Sequence, residues 1–190
     1  MNKVSADEAL TRLKAGNRRF LDDAVEGAGR DSSRRLILAA SQAPFAVILC
    51  CSDSRVVPEI AFDTGLGDLF VTRVAGNVAN RSTIASIEYA VANLGTKLIA
   101  VMAHGNCGAV AAAVANGDVS DNLRHLLDHI RPAVETSGDE DVDAVAKRNA
   151  RLNAERLVTE SDTIRKAVEN DGVKIVTAFY TPGTGAAELV

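Results

Sequence analysis

The sequence is poor in aromatic residues and contains no long apolar run. Aromatic side chains make up 4% of the 190 residues, and tryptophan is absent. Proteins that bind single-stranded nucleic acid usually stack bases on several aromatic rings, so this class is disfavoured. No apolar stretch reaches the roughly 18 residues of a membrane span, and the charged, amphipathic N-terminal segment is unlike a signal peptide. We therefore expect a cytoplasmic protein without membrane partners.

Basic clusters are also missing, and cysteine is rare. The net charge of -4, without a lysine- or arginine-rich run, gives no cationic surface for nucleic acid or anionic lipid. The chain has 3 cysteines, and two of them, Cys50 and Cys51, are adjacent. Because the cysteines cannot all pair, the sequence favours metal-binding or reactive thiols in a reducing compartment over a disulfide framework.

Apolar patterning predicts strands that alternate with helices. A continuous apolar run, typical of a strand buried on both faces, lies at 45–51, and further strands are predicted at 69–73, at 97–103, where the strand is again buried, and at 173–180. A short final strand is expected after the Pro182-Gly183 turn. Helical spacing is found at 5–22, 82–94, 108–115, 121–136 and 141–170. The alternation predicts a single α/β domain with a mainly parallel sheet of four to five strands, flanked by helices.

Two short segments carry metal-binding residue types. CSDSR at 51–55 begins at the end of the first apolar run, and HGNC at 104–107 immediately follows the third. Ligands bind outside the carboxyl ends of parallel strands, so both segments are expected at one edge of the sheet. The thiolates of Cys51 and Cys107 and the imidazole of His104 are ligands that zinc prefers. The expected position of Cys107 at a helix N-terminus would stabilise its thiolate.

Asp53 and Arg55 are the polar residues expected beside these ligands. Side chains alternate in an extended segment, so Cys51, Asp53 and Arg55 are predicted to point to one side. Asp53 can then accept a hydrogen bond from zinc-bound water while Arg55 holds the carboxylate away from the metal. If Arg55 releases it, Asp53 can itself become a conditional fourth ligand and exclude the water.

Other candidates have simpler interpretations. Cys50 points away from Cys51 and is predicted to be a buried core residue. His125 and His129, four residues apart, can form a second metal site, but a solvated face of a polar helix is favoured. The glycine pair at 65–67 lacks the strand-to-helix context of a phosphate loop and is predicted to be a turn.

The paired segments resemble those of the β-class carbonic anhydrases. CSDSR and HGNCGAV carry the resemblance, which extends along nearly the whole chain through DEALTRLKAGNRRF, GLGDLFVTRVAGN, SIEYAV and VKIVTAFYTPGTG. It implies a single domain over 1–190, with an N-terminal helical arm at 1–35 that packs on a partner subunit and an α/β core at 36–190. It also implies a homodimer or homotetramer that reversibly hydrates carbon dioxide to bicarbonate and a proton by zinc-bound hydroxide.

The resemblance further implies a role for each matching residue. One zinc ion per chain is expected on Cys51, His104 and Cys107, with Asp53 and Arg55 as the catalytic pair. The matching positions for binding the substrate, carbon dioxide or bicarbonate, are Gln42, Phe70, Tyr89 and Gly108. The family pairs subunits across the site, so some of these groups are expected to come from a partner.

The chain departs from the family pattern at two places. It reads Arg73-Val-Ala-Gly-Asn77 where many members have R-N-V-A-N. The resemblance therefore does not define the pocket wall near Val74 and Ala75. Ile48 stands where some members carry a tryptophan that helps to bind regulatory bicarbonate, so we expect that site to be absent or altered.

Two other functions stay open from the sequence. One is hydrolysis of carbon disulfide or carbonyl sulfide on the same zinc scaffold. The other is a catalytically silent zinc- or thiol-based module with a structural or redox-sensing role. Asp53 and Arg55 favour an enzyme, since a closed structural zinc site needs neither residue.

Overall fold

A five-stranded sheet forms the centre of the molecule. The computed structural model describes residues 4–138 and 141–190. The strands are β1 (Ala46–Cys50), β2 (Leu69–Arg73), β3 (Leu98–His104), β4 (Lys174–Tyr180) and β5 (Ala187–Leu189). Their order is β2-β1-β3-β4-β5; the first four run parallel, and β5 pairs antiparallel with β4. The predicted single α/β domain with a mainly parallel sheet is confirmed.

Helices cover both faces of this sheet. They are α1 (Ala6–Leu21), α2 (Ser32–Leu38), α3 (Pro58–Ala61), α4 (Arg81–Tyr89), α5 (Gly108–Ala115), α6 (Asp121–Asp128), α7 (Arg131–Ser137), α8 (Val142–Thr159) and α9 (Asp162–Asn170). A 3₁₀ turn covers Ala75–Asn77, and a π turn at Ala90–Leu94 extends α4. In the described residues, no helix is both long and apolar enough to cross a membrane.

Two predicted helices are each divided in two. The prediction at 121–136 is wrong at its middle, because Pro132 lies in the first turn of α7 and cannot donate a backbone hydrogen bond to continue α6. The prediction at 141–170 is likewise interrupted, since Ser161 has an extended backbone and its side chain accepts from the Ile164 N–H as the N-cap of α9. The short helices α2 and α3 were not predicted.

The sheet separates two apolar clusters. Val47, Leu49 and Cys51 belong to the cluster that α8 also joins, whereas Ile48 and Cys50 belong to the cluster under α1. The alternation confirms that Cys50, fully buried, is a core residue on the face opposite Cys51. Truncating a side chain such as Leu49 to alanine in this core is expected to cost roughly 2–5 kcal/mol.

The N-terminal helix packs on the sheet of its own chain. Ala6, Ala9 and Leu13 of α1 are buried in the same cluster as Ile48. By contrast, α2 buries none of its residues, and Leu36 and Ile37 are 78% and 70% exposed. The packing of the N-terminal arm on a partner subunit stays a prediction.

Candidate metal centre

Cys51, His104 and Cys107 converge at one edge of the sheet. Their ligand atoms all lie within 4.8 Å of one another, and the two sulfur atoms are 4.0 Å apart. All three side chains are buried. A tetrahedral zinc ion with Zn–S bonds of about 2.3 Å separates two sulfurs by roughly 3.8 Å, so the spacing fits zinc closely.

The parallel register of two neighbouring strands brings these residues together. β1 pairs with β3 so that Cys50 is opposite Met102, which places Cys51 and His104 at the same carboxyl edge. His104 is the last residue of β3 rather than the residue after it. A turn then places Cys107 as the N-cap of α5, with Asn106 in the left-handed conformation at φ 52°. Cys107 therefore lies at a helix N-terminus, as expected, although its hydrogen bond with Cys51 and its burial raise the pKa of its thiol.

The imidazole of His104 has one nitrogen available for a metal. Nδ1 lies 3.0 Å from the carbonyl oxygen of Gly105, which assigns the proton to Nδ1. Nε2 is buried and has no hydrogen-bond partner among the described residues. A buried, unpaired nitrogen costs free energy, and coordination by Nε2 would remove that cost. This orphaned nitrogen, together with two thiol ligands, fits zinc.

Polar groups around the two sulfurs favour a thiolate. The Gly76 N–H donates to Cys51 Sγ at 3.3 Å. The Cys107 thiol lowers the pKa of Cys51 although burial acts the other way, and His104 and the Gly76 N–H lower it further. The two thiols titrate as a pair, and this pair readily carries one thiolate.

Arg55 binds the Asp53 carboxylate directly beside the ligands. Arg55 Nε donates to Oδ1 at 2.9 Å and Nη2 donates to Oδ2 at 2.7 Å. Oδ2 is also 3.9 Å from His104 Nε2, at the border of the cluster. Hydrogen bonds from the Arg55 side chain hold the pKa of Asp53 well below its usual value, although burial opposes them. The carboxylate is therefore ionised at neutral pH.

Sequence reasoning missed Arg73, which supports this segment from β2. Its Nε donates to the Cys51 carbonyl oxygen at 3.0 Å, and its Nη2 donates to that of Asp53 at 2.7 Å. Arg73 is opposite Cys50 in the parallel register of β1 and β2. The sequence held one signal for this role: Arg73 is a basic residue at the end of a strand that was expected beside β1.

Gln42, Phe70 and Tyr89 lie toward the other edge of the sheet. Gln42 precedes β1, whereas Cys51 follows it, and Phe70 is opposite Val47 in the first half of β1. The rings of Phe70 and Tyr89 are 6.4 Å apart. Gln42 and Tyr89 line an open groove of about 470 Å³. The structure does not bring these three residues to the ligand cluster of the same chain.

Gly108, in contrast, lies at the cluster. It is the first residue of α5, directly after Cys107. A Cβ atom at this position would meet nothing within 4 Å, so the space beside its Cα is open. Its N–H belongs to the first turn of the helix, where no intrahelical acceptor exists.

The remaining candidates do not form a second site. The rings of His125 and His129 are 5.4 Å apart, but His129 Nδ1 lies 3.2 Å from an Arg156 guanidinium nitrogen. Within residues 4–138 and 141–190, the Cys–His–Cys cluster is the only group of three or more potential metal ligands. The glycine pair at 65–67 lies in a turn before β2, as predicted.

Known proteins match the chain over most of its length. A family model described as "Carbonic anhydrase" matches residues 46–187. "Carbonic anhydrase 2" of Mycobacterium tuberculosis (strain CDC 1551 / Oshkosh) is 37% identical over 99% of this chain and 93% of the relative. The carbonic anhydrase of Mycolicibacterium smegmatis is 36% identical over the same shares of both chains.

Solved structures match the fold as well. A structure described among two tetrameric β-carbonic anhydrases from Sordaria macrospora has a TM-score of 0.73 and 27% identity, over 96% of this chain and 93% of that chain. A β-carbonic anhydrase of Aspergillus fumigatus has a TM-score of 0.75 and 26% identity, over 95% and 90% of the two chains.

Proposed function

The chain belongs to the β-class carbonic anhydrase family, and on this premise we propose that it hydrates carbon dioxide reversibly with zinc at Cys51, His104 and Cys107. The ionised Asp53 carboxylate beside three buried zinc-type ligands is the observation that carries the proposal. Zinc, when bound, supplies a Lewis acid that lets water lose a proton near neutral pH. One zinc ion per chain is proposed, since the three ligands form one cluster.

Asp53 orients the reacting water. An ionised carboxylate accepts hydrogen bonds and donates none, so Asp53 binds the protonated side of the water and leaves an oxygen lone pair free for carbon dioxide. The distance of 3.9 Å from Asp53 Oδ2 to His104 Nε2 places the carboxylate within reach of a water that shares the cluster. The same preference disfavours an unprotonated bicarbonate oxygen, which helps the product to leave.

Arg55 keeps Asp53 in the orienting position. Its two side-chain hydrogen bonds to the carboxylate fix both oxygens, and its Nη2 also donates to the Asn106 carbonyl oxygen at 3.2 Å. The pair is thereby tied to the turn that carries Cys107. If Arg55 released it, Asp53 would become the conditional fourth ligand and the site would close to water.

Gly108 and the Gln42 groove supply the substrate contacts in this proposal. The N–H of Gly108, in the first turn of α5, can donate to an oxygen of carbon dioxide or bicarbonate next to the ligands. Gln42, however, lies at the far end of β1, whose five residues span about 16 Å. Gln42 is therefore too far away to contact a substrate at the cluster of its own chain.

A homo-oligomer resolves this separation. The groove of Gln42 and Tyr89 adjoins α2, whose Leu36 and Ile37 are largely exposed, and Tyr89 is 51% exposed. An exposed apolar surface of this kind is typical of a subunit interface. We propose that a second copy covers it, so that Gln42, Phe70 and Tyr89 of one chain complete the pocket of the other. A dimer, or a tetramer built from dimers, satisfies this arrangement.

The other functions considered from the sequence are not proposed. Carbon disulfide and carbonyl sulfide hydrolysis has no counterpart in the names of the relatives described above. A structural zinc module without catalytic activity would not need the Asp53–Arg55 pair.

The 3 cysteines form no disulfide bond, which supports the reducing, cytoplasmic location that we propose. Stopped-flow hydration of carbon dioxide by protein of known zinc content tests the proposed activity.

A further inference from the structure

We infer that Asn149, on α8, is a positioning residue of the metal centre that acts through the backbone of Gly76 on the Cys51 sulfur. The inference rests on the proposed zinc function of the cluster. Asn149 does not touch the three ligands itself. Its side chain binds Gly76, a residue of the loop after β2, and the N–H of Gly76 donates to the sulfur of Cys51.

Gly76 occupies a position that no other residue can take without strain. Its backbone is left-handed, with φ 71°, and a Cβ atom there would lie 2.5 Å from Ile130 Cδ1. The 3.3 Å hydrogen bond from Gly76 N–H to Cys51 Sγ depends on this backbone conformation. Other contacts must hold the loop in this conformation, because the flexible backbone of a glycine does not hold it there by itself.

Two buried asparagines on α8 hold the loop at both ends. Asn149 Nδ2 donates to the Gly76 carbonyl oxygen at 2.8 Å, and the Ala79 N–H donates to Asn153 Oδ1 at 2.6 Å. Asn153 Nδ2 in turn donates to Asn149 Oδ1 at 2.9 Å, which fixes the orientation of the Asn149 amide. Asn149 and Asn153 are each 1% exposed, so water does not compete for these bonds.

The consequence for the metal centre is electronic. A hydrogen bond to a thiolate withdraws electron density from sulfur and weakens its donation to a bound metal. Two thiolates already neutralise the charge of a divalent ion, so each such bond helps the ion to remain a Lewis acid. Loss of the Asn149 contact frees the Gly76–Asn77 peptide and lets the Gly76 backbone rotate, which lengthens the hydrogen bond from the Gly76 N–H to Cys51 Sγ and makes Cys51 a stronger donor.

Cobalt substitution measures this donation directly. In Co²⁺-loaded protein, the thiolate-to-cobalt charge-transfer band moves to longer wavelength when sulfur becomes a stronger donor. We expect Asn149→Ala to shift this band to longer wavelength and to reduce carbon dioxide hydration about tenfold or more. If Asn149→Ala does not fold, Asn153→Ala, which frees the Asn149 amide, is expected to shift the band in the same direction by less.

Asn17→Ala is the matched control. Asn17 is also a buried asparagine whose Nδ2 donates to backbone carbonyls, those of Ala61 and Gly185 at 2.9 Å, but it lies on α1, on the side of the sheet that holds the other apolar cluster. The Asn17→Ala substitution should lower the free energy of unfolding without shifting the thiolate-to-cobalt charge-transfer band. An unchanged band in Asn149→Ala, or an equal shift in Asn17→Ala, overturns the role of Asn149. A wild-type protein without a thiolate-to-cobalt band overturns the proposed metal site itself.

Discussion

The Asp53 carboxylate is bound by Arg55 through hydrogen bonds of 2.9 and 2.7 Å while one of its oxygens lies 3.9 Å from His104 Nε2. In the proposed mechanism, a short movement of one side chain would therefore separate two states of the site. In one state Arg55 holds the carboxylate, which is then available to orient water. In the other state the carboxylate would occupy the fourth position around the metal.

Asp53→Asn tests the orienting role with little change in shape. The amide keeps an oxygen that can accept from Arg55 but loses the ionised acceptor, so we expect retained zinc and a loss of about 10²-fold or more in kcat. Stopped-flow kinetics with zinc analysis of the same sample provides the measurement. Asp118→Asn, at a fully exposed carboxylate, should behave like the wild type. Undiminished turnover in Asp53→Asn would show that the carboxylate does not take part.

Arg55→Ala tests the conditional fourth ligand. Without the guanidinium, Asp53 is expected to bind the metal, so activity falls while zinc leaves more slowly when a chelator is added. Adding Asp53→Asn to this variant should abolish the slower release, because the neutral amide is a poor ligand. Equal release rates in the single and double variants would contradict a ligating role for Asp53.

Mixed assemblies test whether the pocket is shared between subunits. Chains carrying Gln42→Ala and chains carrying Asp53→Asn are co-expressed with different tags, and assemblies that contain both are purified. If Gln42 serves the partner's metal, a mixed dimer has one intact site of two and about half of the wild-type activity. If Gln42 serves its own chain, no intact site forms and activity stays at the level of the single variants.

Asp63 provides a prediction about acid stability that is independent of the metal. Its side chain is fully buried and accepts from Arg19 Nε at 2.6 Å and from the N–H groups of Glu26 and Gly27 at 3.0 Å. Burial raises its pKa, but these hydrogen bonds outweigh burial and hold the pKa of Asp63 at about 2, below the ordinary 3.8. The carboxylate therefore stabilises the fold above the ordinary pKa, and this contribution is lost as the pH falls towards 2.

Asp63→Asn should accordingly lower the free energy of unfolding by about 2 kcal/mol at pH 7. The difference from the wild type should shrink between about pH 4 and pH 2, as the wild-type carboxyl group is protonated. Urea unfolding at several pH values measures both quantities. A difference that stays constant down to pH 2 would contradict the low pKa.

The sequence was sufficient to predict the fold class and the convergence of the three ligand-type residues because these signals are local. Apolar runs mark β1 and β3, which are buried along their whole length, and the rule for parallel sheets brings Cys51 and His104 to one edge from their positions at the ends of these strands. The sequence also indicated that Gln42 lies far from Cys51, since a residue that precedes β1 must lie at the opposite end of that strand. What the sequence did not indicate was how α2 exposes its apolar residues around that position.

The supporting contacts could not be predicted, because they join residues far apart in the chain. Asn149 meets Gly76 only after α8 has docked beside the loop that follows β2. Its spacing with Asn153 is ordinary for a helix, and no local pattern distinguishes a buried asparagine from a solvated one. The contact of the Arg73 guanidinium with Cys51 likewise depends on the register of β1 and β2, which the sequence does not state.

Carbon dioxide hydration measured against zinc content tests the central claim most directly. Samples of the same preparation, stripped of metal and then reloaded in steps with zinc, are assayed by stopped flow across neutral and alkaline pH. We expect the rate to rise in proportion to zinc, to saturate at about one ion per chain, and to increase with pH. A folded, zinc-free protein with full activity, or a fully loaded protein with none at any pH, would contradict the account.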